Sequence, residues 1–158
     1  MSTDSLIILA FESSCDETSV AVLHNDKVLS NVILSQEYHK AFGGVIPEIA
    51  SREHLRKITE MTEKALEKSG LELKDINFIA STSEPGLIGA ILIGLNFAKS
   101  LAAAVNVPFV PVNHIHAHLY SAFLGNDKPQ FPFLSLIVSG GHTLLVLVED
   151  FFKHKILG

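Results

Sequence analysis

Apolar residues fall along this chain in short runs at first and in helical spacing later. Residues 5–12 carry the run Leu6-Ile7-Ile8-Leu9-Ala10-Phe11, which predicts a buried strand. A polar turn, Ser13-Ser14-Cys15-Asp16-Glu17, follows. Over residues 18–24 Val20 and Val22 alternate with Ser19 and Ala21, Asn25-Asp26 marks a tight turn, and residues 28–35 predict a third strand. Over residues 47–69 Leu55, Ile58, Thr62, Ala65 and Leu66 recur at spacings of three and four, predicting one apolar helix face. Glu60 and Lys64 pair on the opposite face, and Gly70 stops the helix. A strand is predicted over 76–81. A second helix opens at Pro85-Gly86 and runs to about residue 105; it is apolar nearly all round and so expected to be buried. A strand over 107–112, a short helix over 113–124 with Asn113 as N-cap, and strands over 133–138, 143–148 and 153–157 complete the chain.

Three leading antiparallel strands argue against a simple doubly wound parallel sheet. The order predicts an α/β fold: a mixed sheet with helices on both faces, as in ribonuclease-H-like and actin-like domains. Residues 1–148 read as one such domain and residues 149–158 as the start of a second, truncated one.

Composition narrows the class. In 158 residues there are 12 Lys plus Arg against 17 Asp plus Glu, a net charge of −5, which argues against nucleic-acid binding by a basic surface of this chain. The single cysteine, Cys15, excludes a disulfide scaffold and a multi-cysteine zinc site. The longest uncharged apolar stretch, residues 85–98, has 14 residues and three glycines, short of the ~18 a membrane span needs. The first residues lack the basic start of a signal peptide. The expectation is a cytoplasmic protein with no membrane contact.

Four constellations can carry chemistry. The Glu12–Thr18 stretch offers hydroxyls, backbone amides and carboxylates at a hairpin, although Ser and Asp are also ordinary turn formers. Pro85-Gly86-Leu87-Ile88-Gly89 follows a strand, where glycine lets backbone approach a phosphate; Gly89 and Gly94 serve equally well for close helix packing. His114-Ile115-His116-Ala117-His118 sets His114 and His118 at i,i+4, so both imidazoles can reach one metal, with at least one further ligand required; surface histidines on an amphipathic helix are the plain alternative. Ser139-Gly140-Gly141-His142 breaks an apolar strand with bare backbone that can cradle phosphate or carbamoyl oxygens, or simply turns a hairpin.

Together these segments resemble one family. Phe11-Glu12-Ser13-Ser14-Cys15-Asp16-Glu17-Thr18 is similar to its E-[ST]-S-C-D-[ED]-T signature. Residues 43–54 are similar to its G-G-[VI]-x-P-E-x-A-[SAR]-R-x-H segment, the histidine pair to its H-x-x-x-H, and residues 139–143 to its S-G-G-[HN]-T loop. This is the TsaD (Gcp) family, once labelled O-sialoglycoprotein endopeptidases. The resemblance implies an actin-like ATPase fold. It also implies transfer of threonylcarbamoyl from threonylcarbamoyl-adenylate to the adenosine next to the anticodon, in tRNAs reading codons that begin with A. It implies His114 and His118 as ligands of one divalent metal, iron(II) or else zinc, with an Asp from further along the protein. It implies Ile137, Val138, Ser139, Gly140 and Gly141 as the stretch that binds the adenylate or ATP, and Asp16 and Glu17 as a catalytic acidic pair facing the same cleft. The implied partners are tRNA, a TsaB-like paralogue and a TsaE-like ATPase.

Two positions depart from the pattern: Glu84 stands where the family often has Gly, and His116 where bacterial members often have Glu. Family members are about twice this long, so the chain reads as an N-terminal part, inactive alone and able to form a homodimer through its first two helices. The alternatives are a non-catalytic TsaB-like subunit and a sugar kinase of the same fold, both of which lack the His pair, and a metallopeptidase, disfavoured because Ile115 stands where H-E-x-x-H needs Glu.

Overall fold

The computed structural model describes residues 5–37, 39, 43–125, 127–138 and 143–158. They form two units, one up to His114 and one over Ile115–Gly158. The division falls just after the first residue of the short helix that begins at His114, and the last three described strands pair with one another.

In the first unit β1 (Ile7–Glu12), β2 (Glu17–His24) and β3 (Lys27–Ser35) form the expected meander. Asn25 turns the second hairpin at φ 55°, a conformation asparagine tolerates. β4 (Phe78–Glu84) and β5 (Phe109–Asn113) add in parallel beside β1, giving the mixed order β3-β2-β1-β4-β5. β4 starts and ends later than the apolar run implies. Ile76 closes a 3-10 turn over Leu73–Asp75, while the polar Thr82 and Glu84 still pair with Val112 and Asn113.

α1 (Pro47–Ser69) and α2 (Ile88–Val105) pack on each other and share one core with the sheet, so these two helices lie on the same face. That core holds Leu9, Phe11, Val20, Val22, Ile79, Ile58, Met61, Ala65, Ala98 and Ala102. Gly70 ends α1 in the left-handed region at φ 71°, and the Glu60–Lys64 pair forms at 2.6 Å. The buried stripe of α1 runs through Ala50, His54, Ile58, Met61, Thr62 and Ala65, while Leu55 is 64% exposed. Only one side of α2 is buried, through Ala90, Ile91, Gly94, Ala98 and Ala102; Ile88 and Leu92 face outward. With Lys99 as its one charge, α2 is long and apolar enough to cross a membrane by length and composition, which the count ending at residue 98 missed. In this structure it is seated against β1, β4, β5 and α1.

The second unit holds the rest of α3 (His114–Tyr120), a 3-10 turn over Ser121–Leu124, and the antiparallel sheet β6 (Phe133–Val138), β7 (Thr143–Asp150) and β8 (Lys153–Ile156). Asn113 is the last residue of β5 and stands directly before the helix, at its N-cap position, and the helix ends at Tyr120 rather than 124. Ile137, Val146 and Val148 pack with Leu119 into a small core. The other face of the sheet carries Leu134, Leu136 and Val138 exposed on the edge strand β6, opposite Leu147, Leu145 and Thr143 of β7.

Candidate functional site

Parallel strands present their carboxyl ends at one edge of a sheet, where α/β proteins build their sites. Phe11 pairs with Ser81, and Thr82 with Val112. That register sets Glu12 at the end of β1, Thr82 near the end of β4 and His114 just after β5 side by side. Glu12 Oε2 accepts from Thr82 Oγ1 at 2.5 Å and meets His114 Nδ1 at 3.0 Å. Its Oε1 accepts the Ser14 amide at 2.5 Å. Burial alone would raise the Glu12 pKa; hydrogen bonds from the His114, Ser14 and Thr82 side chains and the Ser14 amide outweigh it and lower it to about 2. His114 is pushed the other way, up from its ordinary value, chiefly by the hydrogen bond to Glu12 and against its own desolvation.

The turn after β1 is seated on α2 and α1. Ser13 Oγ donates to the Ala90 carbonyl at 2.9 Å and the Leu87 amide to the Ser14 carbonyl at 2.7 Å. The nearby glycines are spacing devices. A Cβ at Gly86 would lie 2.5 Å from the Ser14 carbonyl oxygen, and one at Gly94 would collide with Ser13 Oγ. At Gly89 a Cβ would lie 2.6 Å from Ser51 Oγ, where the two helices cross. Close packing therefore accounts for all three.

The turn is also tied to α1 through His54, which is fully buried. Its Nε2 lies 2.9 Å from the Cys15 carbonyl oxygen, which can only accept, so Nε2 carries the proton. Its Nδ1 then accepts from Thr18 Oγ1 at 2.7 Å. Burial is the main cause of its lowered pKa. Cys15 is exposed, with its thiol pKa raised by desolvation and by Asp16, which makes it a poor nucleophile.

Of the residues expected to act, Asp16 lies in this turn, half-buried, and Glu17 opens β2, exposed, with its Oε1 accepting from Ser35 Oγ at 2.6 Å. His114 and His118 both lie on α3, one turn apart. Among the described residues no cluster of three or more His, Cys, Asp or Glu is placed to hold a metal. Ile137 and Val138 end β6; with His118 they line an open concavity of about 560 Å³ in the second unit. Ser139, Gly140 and Gly141 lie outside the described residues. Sequence reasoning grouped Glu12 with its turn but missed its contact to His114; it placed His54 at the end of the 43–54 motif without a role, and it missed Thr82. The partners of Glu12 lie 70 and 102 positions away, a distance no local pattern crosses.

A family profile described as TsaD, tRNA N6-adenosine threonylcarbamoyltransferase, matches residues 27–158. Curated relatives carry the same description. One from Chlorobium chlorochromatii is 52% identical over 97% of this chain and 45% of its own length. One from Christiangramia forsetii is 47% identical over all of this chain and 47% of its own. The chain thus spans about half the length of the curated relatives it matches. Among solved structures, YeaZ from Pseudomonas aeruginosa superposes with a TM-score of 0.65 at 19% identity, over 97% of this chain and 65% of that one. A Ppx/GppA phosphatase from Aquifex aeolicus does so with 0.51 at 13%, over 95% and 50%. At such identities these two show the fold alone, which is actin-like and ribonuclease-H-like.

Proposed function

Because the chain belongs to the tRNA N6-adenosine threonylcarbamoyltransferase family, we propose that the whole protein transfers threonylcarbamoyl from threonylcarbamoyl-adenylate to the adenosine beside the anticodon in tRNAs reading codons that begin with A. The match over residues 27–158 carries this reading. In the transfer the adenosine N6 attacks the carbamoyl carbon, the bond from that carbon to the phosphate oxygen breaks, AMP leaves and N6 gives up a proton. Asp16 and Glu17 are the acidic pair we assign to face the reacting group. Ile137 and Val138, with Ser139, Gly140 and Gly141, are assigned to the adenylate.

His114 and His118 would hold a divalent metal, iron(II) or zinc, with a carboxylate from elsewhere in the longer protein. Their i,i+4 spacing on α3 and the carboxylate on His114 Nδ1 fit two members of such a donor set. When bound, the metal supplies a positive charge that anchors substrate oxygens. The partners we assign are tRNA, a TsaB-like paralogue, a TsaE-like ATPase and, for this chain alone, a second copy. We place the protein in the cytoplasm.

Mass spectrometry of nucleosides from cells depleted of the protein tests the reading. Loss of threonylcarbamoyladenosine, restored by the protein and not by its His114→Ala variant, is expected. An unchanged nucleoside level overturns it.

A further inference from the structure

The ring of His114 is held at one nitrogen by a group from another strand. Glu12 Oε2 lies 3.0 Å from Nδ1. The same oxygen is fixed by Thr82 Oγ1 and the other carboxylate oxygen by the Ser14 amide, so the carboxylate has little freedom to turn. An ionised carboxylate only accepts hydrogen bonds. The proton in this contact is therefore on Nδ1, with Ser14 Oγ a longer neighbour of the same nitrogen at 3.3 Å, and in the neutral ring the lone pair is on Nε2. Histidines that bind metals commonly give their second nitrogen's proton to a carboxylate, which fixes tautomer and orientation and makes the ligating nitrogen more basic.

We propose that Glu12 is a positioning residue that locks His114 in the Nδ1–H form and aims Nε2 as its metal-binding atom. The inference rests on the metal reading above and concerns a residue that is not itself a ligand. Glu12 sits at the carboxyl end of β1, 102 residues before its partner, and Thr82 belongs to the strand between them in the sheet. The carboxyl ends of three neighbouring strands thus build the support for one imidazole.

Two measurements on the 158-residue chain test this, with zinc as the probe. The first is the pair of ring ¹⁵N shifts of His114 at pH 9 without metal, assigned with His114→Ala. A protonated Nδ1 is expected; a protonated Nε2 overturns the proposal, and this readout needs no Glu12 variant to fold. The second is zinc affinity. Glu12→Gln keeps the shape and removes the charge, and is expected to weaken binding about tenfold. Unchanged affinity in Glu12→Gln, with loss in His114→Ala, overturns the positioning role and leaves the metal reading standing. Unchanged affinity in His114→Ala overturns the metal reading itself.

Discussion

His54 has no exposed surface, yet both its ring nitrogens are engaged, one with the turn that carries the acidic residues and the other with Thr18 at the start of β2. It is buried neutral, with a folded pKa below the 6.5 of the unfolded chain. Between those two values the unfolded chain binds the proton and the folded one does not. The stability this residue contributes is therefore fully present above pH 6.5 and is lost as pH falls towards the folded value. Urea midpoints at pH 7.5 and 5.5 should fall in the unsubstituted chain by more than in His54→Gln. Equal slopes would show that the ring is not held neutral. His54→Ala should lower unfolding free energy by about 2–4 kcal/mol, since it leaves a cavity and strips the Cys15 carbonyl of its donor. The sequence marks His54 as the last residue of the 43–54 motif but not as a buried one. Its burial is a matter of phase: the buried stripe of α1 runs through 50, 54 and 58, so Leu55, read as core, is turned outward.

α1 and α2 show where periodicity reads well and where it stops. The ends of α1 are legible because Pro47 and Gly70 are strong signals with backbone causes. α2 has no such contrast: nearly every position is apolar, so the pattern cannot say which side faces the sheet. The structure decides that with Gly94, Ala98 and Ala102, the small residues that let the helix come close. Ala98 is fully buried, so a charge there would break the fold and not an interface. The apolar side left outward is Ile88 and Leu92, flanking the Ser51–Gly89 crossing, with Leu55 one turn along α1 from Ser51. Light scattering at tens of micromolar (~10–100 on the affinity scale) should show a two-fold dimer through this face, and Leu92→Glu should return it to monomer. A monomer from the start refutes the dimer. Association that survives Leu92→Glu but not Leu136→Glu places it on the exposed apolar face of the second sheet.

For the whole molecule, topology was legible as a mixed sheet because three short-turned strands precede any helix. The division into two units was not, because strand pairing over Phe133–Ile156 leaves no linker of unusual composition in the sequence. The candidate nucleotide residues Ile137 and Val138 border a concavity open on one side, and a ligand there keeps much of its surface in water. Calorimetry on this chain should find adenine nucleotides bound no more tightly than about millimolar, with no ATP hydrolysis; micromolar binding would show that this wall suffices. The placing of Glu12 against His114 also bears on how the chain reaches its native state. β1 and β2 meet across a hairpin with four residues between the strands, of roughly microsecond cost, whereas the Glu12–His114 contact joins residues 102 positions apart. Loop-closure entropy grows with length, and non-local pairings follow local ones. The corner that holds the imidazole is thus among the last parts to assemble, and on a ribosome it cannot begin to form until α3 has emerged, long after the meander has had time to settle.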